Sequence, residues 1–142
     1  MPKNLNEIFL NHKGKLSDRW LLYLDEWNKL FQPLHQKKIN LLEIGVHNGG
    51  SLEIWAKYFT QAENIIGCDK NEACQQLDFS DPRISVILGD INTDTVENIV
   101  KEKQLGFDII IDDGSHHSAD IIESFSRYFT YLRSGGYYII ED

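Results

Sequence analysis

The stretch Glu43-Ile-Gly-Val-His-Asn-Gly-Gly-Ser51, entered from the apolar run Asn40-Leu-Leu and followed by Leu-Glu-Ile-Trp-Ala-Lys-Tyr-Phe59, decides how this chain folds. Glycine at 45, 49 and 50 removes side chains where the chain must turn sharply and where a ligand must approach the backbone, and the helix that follows offers free N–H groups. Strand, glycine turn and helix in that order predict a ligand-binding turn at the carboxyl end of a parallel strand. The spacing is G-x-x-x-G-G and not the dinucleotide G-x-G-x-x-G. Tight connections also use glycine for purely structural reasons, so the surroundings of the turn must decide its meaning.

Four further apolar runs follow: NIIGCD (64–69), RISVILGD (83–90), FDIIIDD (107–113) and YYIIED (137–142). Between them lie SLEIWAKYF, a short EACQQL turn or helix, TDTVENIVKEKQL and SADIIESFSRYFTYLRSGG. Ile, Val and Leu on both faces of each run indicate strands covered on two sides, as in a parallel sheet. Right-handed βαβ crossovers then give an α/β fold, a parallel sheet of five strands with four crossovers. The fifth strand stops at the last residue, which leads us to expect that these 142 residues are the N-terminal part of a longer gene product, truncated after the fifth strand. Upstream, Trp20, Tyr23, Leu24, Trp27, Leu30 and Phe31 recur at helical spacing in Ser17–His35, with Ser17 as N-cap and Pro33 near the end. That face reads as core, with a lid over a pocket as its functional alternative. The expected organisation is a helical segment over 1–38 and a Rossmann-like domain over 39–142.

Composition narrows the function. Hydrophobic residues make up 42% and charged residues 25%, which suits a packed globular chain. Fourteen Lys and Arg against 22 Asp and Glu give a net charge of −8, with no basic run to neutralise phosphates, so an electrostatic nucleic-acid binder is excluded. No stretch approaches the ~20 apolar residues of a membrane span, and the N-terminus lacks the apolar core of a signal peptide; a cytoplasmic protein is expected. Cys68 and Cys74 have neither CxxC spacing nor disulfide density, and read as free thiols in a reducing compartment.

Acids end the later runs. Asp69 closes the second, 24 residues after Gly45, where a carboxylate can accept hydrogen bonds from both hydroxyls of a ribose. Gly89-Asp90 closes the third, where a carboxylate can meet an adenine amino group; a helix cap before Thr93 is an equal reading of Asp90. Ser51 reads both as a helix cap and as a contact to a cofactor carboxylate. The fourth run ends in Asp112-Asp113-Gly-Ser-His116-His117 and the fifth in Glu141-Asp142. Asp112 reads as a strand-end residue near the cofactor, His117 as a surface residue, and Asp120 as part of a solvated first helical turn. His12 and His35 read as surface or packing residues, and His47 stays open because it lies inside the glycine turn.

The series LLEIGVHNGGSLEIWAKYF, IIGCD, ILGD, FDIIIDDGSHHS and SGGYYIIED resembles the class I S-adenosylmethionine-dependent methyltransferases. Within them it is most similar to the metal-dependent O-methyltransferases that act on sugars of macrolide antibiotics, the mycinamicin and tylosin type, with a related branch called cephalosporin hydroxylase. The early motifs are widely shared, whereas DDGSHH followed by IIED is specific. The resemblance implies that Glu43 orders the glycine turn, that Gly45 and Gly49 lie against the methionine part of S-adenosylmethionine, that Asp69 holds its ribose and that Asp90 lies near its adenine. It implies a Rossmann-like doubly wound sheet in which the fourth and fifth strands are neighbours, so that Asp113, Glu141 and Asp142 meet as ligands for Mg2+. Crowded carboxylates of this kind repel one another until an oxygen-ligated cation relieves them. His116 matches the family's proposed general base, a role suited to imidazole. The implied reaction is Mg-assisted methyl transfer to a hydroxyl of a sugar or glycosylated natural product, with a small-molecule acceptor as partner, no nucleic acid or membrane, and a possible homo-oligomer.

Two rival readings follow from the same residues: a nicotinamide-linked Rossmann oxidoreductase, against which the glycine spacing argues, and a non-catalytic ligand-binding or interaction module.

Overall fold

The computed structural model describes residues 4–13 and 21–141. Five parallel strands form one sheet: β1 (Asn40–Ile44), β2 (Asn64–Asp69), β3 (Ile84–Leu88), β4 (Phe107–Asp112) and β5 (Leu132–Ile140). Their order is β3-β2-β1-β4-β5, so the chain reverses direction of growth between β1 and β4, which makes a doubly wound sheet with its switch point beside β1. The helices are α1 (Leu5–Leu10), α2 (Leu21–Phe31), α3 (Gly50–Tyr58), α4 (Asp94–Glu102) and α5 (Ser118–Tyr128). The crossover from β2 to β3 carries only a 3-10 turn, Glu72–Gln76.

Adjacent strand residues diverge to two cores, as the period of a strand requires. Leu41, Ile65, Ile109 and Ile111 face Trp55 and Phe59 of the α3 segment and Leu24, Trp27 and Phe31 of α2. Leu42, Ile66 and Ile110 face Val96 and Val100 of α4 and Tyr128 of α5. The aromatic spacing upstream therefore marks a core face: Phe31 and Trp55 meet edge to face, with ring centroids 5.8 Å apart. Tyr23 and Leu30 of the same stripe stay exposed, while Ser17 and Trp20 lie outside the described residues. Helix α2 ends at Phe31, where a 3-10 turn containing Pro33 takes over because proline cannot donate to a continuing helix.

Strand β5 departs from the sequence expectation by starting at Leu132 instead of Tyr137. Phe107 pairs with Leu132 and Ile109 with Tyr137, so Arg133–Gly136 bulge out opposite Asp108. Gly136 packs against the Asp108 carbonyl, leaving no room for a Cβ there.

Arg83 fastens the edge strand to the opposite layer. Its guanidinium donates to the carbonyls of Ala56 and Phe59 at 2.8 Å, at the C-terminal end of α3 where carbonyls lack helical partners, and to the Asp81 carboxylate at 2.6 Å. Replacing it by methionine keeps the stem but strands these acceptors. Arg83→Met is expected to cost about 2 kcal/mol in urea unfolding, and Arg83→Lys to recover less than half, since an ammonium lacks the planar fork.

Candidate functional site

Register puts the ends of the strands level: Ile44 pairs with Cys68 and Asp112, Asp69 with Leu88, and Asp112 with Ile140. Asp69, Asp90, Asp112, Asp113 and Glu141 thus stand at or just beyond the carboxyl ends of their strands. A cleft of about 270 Å³ opens there, walled by Gly45, Asp69, Asp90 and Asp112 together with Asn92 and Ser124.

The glycine turn is built by exclusion. Gly45 adopts φ +91°, and a Cβ on it would sit 2.1 Å from the carbonyl oxygen of Asp113. Its N–H donates to the Cys68 carbonyl at 2.8 Å, and the N–H of Asp113 donates to Ile44 at 2.9 Å, so the ends of β1, β2 and β4 are tied at one point. Gly49, at φ +89°, is the N-cap of α3, which corrects the cap reading of Ser51: that residue lies in the first turn of the helix. Glu43 is fully buried in β1 behind the turn. Glu43, Gly49 and Ser51 lie outside the walls of the cleft.

Asp69 is held as an anion. Its Oδ2 accepts from the backbone N–H of Val46 (2.9 Å) and His47 (3.1 Å), and its Oδ1 from Asn71 (2.9 Å). Burial pushes its carboxyl up, but the three amides outweigh that and hold it below the usual carboxylate range. The Cys74 thiol also makes a side-chain hydrogen bond with this carboxylate, which raises the thiol. Asp90 accepts from Asn92 N–H at 2.9 Å, while the α4 cap is Thr93, so the capping alternative for Asp90 passes to its neighbour.

The sequence did not single out Asn92 or Ser124; Asp120, read as part of a solvated or dipole-favoured first helical turn, is exposed in the first turn of α5. Asn92 donates to the Asp120 carbonyl at 3.1 Å and accepts from the Ser124 hydroxyl at 3.0 Å, so it fastens α5 across the cleft. The Asp120 carboxylate, also on the cleft wall, accepts from Ser115 Oγ at 2.6 Å. Only the tertiary approach of α5 to the β3 loop brings these residues together. Burial pushes the Cys68 thiol up to about 12, with Asp69 and Asp90 adding to it, so this thiol stays protonated beside the cleft. Among the described residues both cysteines are free.

Asp112 and Asp113 point to different surroundings. Asp112 is buried, and desolvation raises its carboxyl above the usual range although Gly114 N–H donates to it at 3.1 Å. Asp113, with its side chain 15% exposed, is flanked by two imidazoles: His116 Nε2 lies 3.4 Å from Oδ1 and His47 Nε2 lies 3.8 Å from Oδ2. His117 precedes α5 at the surface. Glu141 follows β5, its N–H donating to the Asp112 carbonyl at 2.8 Å, while Asp142 lies outside the described residues. Among the described residues no three His, Cys, Asp or Glu side chains gather into a metal-holding group.

A doubly wound sheet with a glycine turn and acids at the carboxyl ends of its strands is the class of domain that binds a nucleotide-type cofactor at the switch point. The comparisons place the chain more narrowly: it belongs to the Methyltransferase domain family, whose profile matches residues 42–142. It is 32% identical over 127 residues to the mycinamicin VI 2''-O-methyltransferase of Micromonospora griseorubida, covering 84% of this chain and 31% of that protein. It is 30% identical over 135 residues to the 8-demethyl-8-alpha-L-rhamnosyl tetracenomycin-C 2'-O-methyltransferase of Streptomyces olivaceus, covering 89% of this chain and 35% of that one. Among solved structures, the MycE methyltransferase of the mycinamycin biosynthetic pathway, in complex with Mg and SAH, superposes with a TM-score of 0.84 at 30% identity, covering all of this chain and 38% of that one. The chain thus spans about a third of the length of these curated relatives. Family membership weighs against the nicotinamide oxidoreductase. Among the described residues no helix is long and apolar enough to cross a membrane.

Two outcomes test this geometry. Gly45→Ala is expected to cost about 3 kcal/mol or more in chemical unfolding, because a backbone carbonyl cannot yield to the added methyl and the φ is unsuited to alanine. Asp112→Asn keeps the acceptor for Gly114 and removes a buried charge. A raised folded value makes Asp112 a cost that appears as pH climbs above the ordinary Asp value of about 3.9, so the variant is expected to melt higher than wild type at pH 7, with the difference vanishing below about pH 4.

Proposed function

We propose that this chain carries the cofactor-binding part, centred on residues 39–142 with the helices before it as cover, of an S-adenosylmethionine-dependent O-methyltransferase. The acceptor is a hydroxyl on a sugar or glycosylated natural product, and a divalent cation, Mg2+, assists. The observation that carries the reading is the single edge on which Gly45, Asp69 and Asp90 stand on one side and Asp113, His116 and Glu141 on the other, in a chain similar to sugar O-methyltransferases.

The residues fit a nucleoside cofactor: the turn has no side chain at Gly45, and the Asp69 and Asp90 carboxylates line the same cleft. S-adenosylmethionine supplies the methyl group, already activated on a sulfonium. Gly45 lets the backbone come close to its amino-acid end, Asp69 holds the ribose, Asp90 faces the adenine, and Asp112 lines the wall between. Glu43 and Gly49 support the turn from behind, and Ser51 lies in the helical turn that its N–H groups open.

The donor chemistry at the other side fits a hard cation. Asp113 and Glu141 offer oxygen, and Asp142, next in sequence, adds a third carboxylate. These residues would hold Mg2+, which when bound orients two acceptor oxygens and makes one more acidic. His116 removes the proton from the acceptor hydroxyl. Its Nε2 lies 3.4 Å from Asp113 Oδ1, which sets the ring beside the proposed cation ligand. Its place in the cell is the cytoplasm, in keeping with two buried thiols.

Calorimetric titration of the complete protein with S-adenosylhomocysteine tests the reading. Binding is expected, weakened at least ~10-fold by Asp69→Ala, which removes the ribose acceptor and orphans three amides. A folded protein that does not bind the product would overturn the methyltransferase reading and favour the interaction module.

A further inference from the structure

Helix α5 holds the loop after β3 by hydrogen bonds that packing alone does not require. Tyr128 is fully buried in the core that contains Val96 and Val100 of α4, where a phenylalanine ring would fill the same space, yet its hydroxyl donates to the Ile91 carbonyl at 2.6 Å. Four residues earlier, on the same helix face, the buried Ser124 hydroxyl donates to Asn92 Oδ1 at 3.0 Å. Four residues earlier again, the Asp120 carbonyl accepts from Asn92 Nδ2 at 3.1 Å. Buried polar contacts of this kind cost desolvation and return a unique register.

The loop so held is stiff in itself. The Asp90 carbonyl accepts from Thr93 Oγ1 at 2.7 Å and from Thr93 N–H at 3.2 Å, and Asp90 Oδ1 accepts from Asn92 N–H at 2.9 Å. Residues 90–93 therefore move as one piece, and their place at the sheet edge is set from α5. Asp90, Ile91, Asn92 and Ser124 line the cleft, whereas Tyr128 lies outside its walls. Any effect of the Tyr128 hydroxyl on a ligand has to pass through Ile91.

We propose that Tyr128 and Ser124 are positioning residues for base recognition: by fixing the loop of residues 90–93 they hold the Asp90 carboxylate where it accepts from a 6-amino group, and so make the cleft prefer a 6-aminopurine nucleoside to its 6-oxo counterpart. This rests on the methyltransferase reading above, in which Asp90 faces the adenine. The physical basis is that an ionised carboxylate only accepts: an amino group donates to it, while a 6-oxo group sets lone pairs against its charge. A 6-oxopurine offers its nearest donor at N1, further round the ring, and only a loop free to shift can follow it there. Discrimination therefore depends on the loop being held.

The test is calorimetric titration of the complete protein with S-adenosylhomocysteine and with S-inosylhomocysteine, which carries a 6-oxo base in place of the 6-amino one, read as the ratio of the two dissociation constants. Wild type is expected to favour the 6-amino ligand ~10-fold or more. Tyr128→Phe and Ser124→Ala, each checked for a cooperative thermal transition, are expected to lower that ratio at least ~3-fold. In an Asp90→Ala background, where the preference is already lost, neither is expected to change it further. A general loosening of the domain would weaken both ligands alike and leave the ratio unmoved. If the variants fold and keep the wild-type ratio, the positioning role is refuted and the methyltransferase reading stands; should either fail to fold, the other decides alone. If wild type binds both ligands equally, this proposal falls together with the base-reading role of Asp90, while the cofactor site stands. If wild type binds neither, the methyltransferase reading falls with them.

Discussion

The site depends on a missing side chain. Gly45 brings the end of β1 so near the loop after β4 that the Asp113 carbonyl occupies the space of a Cβ, and the two backbone hydrogen bonds at that point fasten β1 to β2 and β4 together. In a doubly wound sheet, β1 and β4 are the pair between which the strand order turns, so their ends would splay and leave a crevice. Here the crevice is closed at one level and left open beside it, and the difference is set by glycine. The cofactor turn and the acid edge are for this reason parts of one packed unit.

That arrangement collects negative charge, and the fold treats each acid differently. Asp69 is surrounded by amides, stays charged and gains stability from it; that contribution is complete above the ordinary Asp value and is lost as pH falls through its lower folded value. Asp112 is buried with a single amide and bears a cost at neutral pH. Asp113 is half-buried and faces two imidazoles. Carboxylates at like distances along the same edge thus have opposite energetic signs, and the sign follows the number of backbone donors each one meets. The unrelieved acids are the ones for which an external cation or donor has most to offer.

Much of this was legible in the sequence. The apolar runs mark all five strands and their parallel sense; β1, β2 and β4 are buried on both faces, whereas the outer strands β3 and β5 are only partly covered, and the acids at the ends of 64–69 and 107–113 stand at the carboxyl end of the sheet. The start of β5 was missed because Leu132–Gly136 reads as the tail of a helix ending in glycines; a bulge against Asp108 is a tertiary fact. Ser51 was misread as a cap because a serine before apolar residues is a common cap, whereas Gly49 at positive φ already begins the helix. Asn92 and Ser124 carried no signal at all. Their pairing spans 32 residues and exists only because α5 returns over the β3 loop.

Backbone strain gives the last step. Three non-glycine residues have positive φ among those described: His47, Gln104 and His116. Gln104 follows the end of α4, where a left-handed residue commonly terminates a helix and the side chain matters little. The other two lie on separate loops, and both aim an imidazole at one carboxylate. A loop that needed only the turn would fold better with glycine at either position, as it does at Gly45 and Gly49. Histidine is among the residues that enter this region more readily than most, and both rings face Asp113, at 3.8 Å from His47 and 3.4 Å from His116.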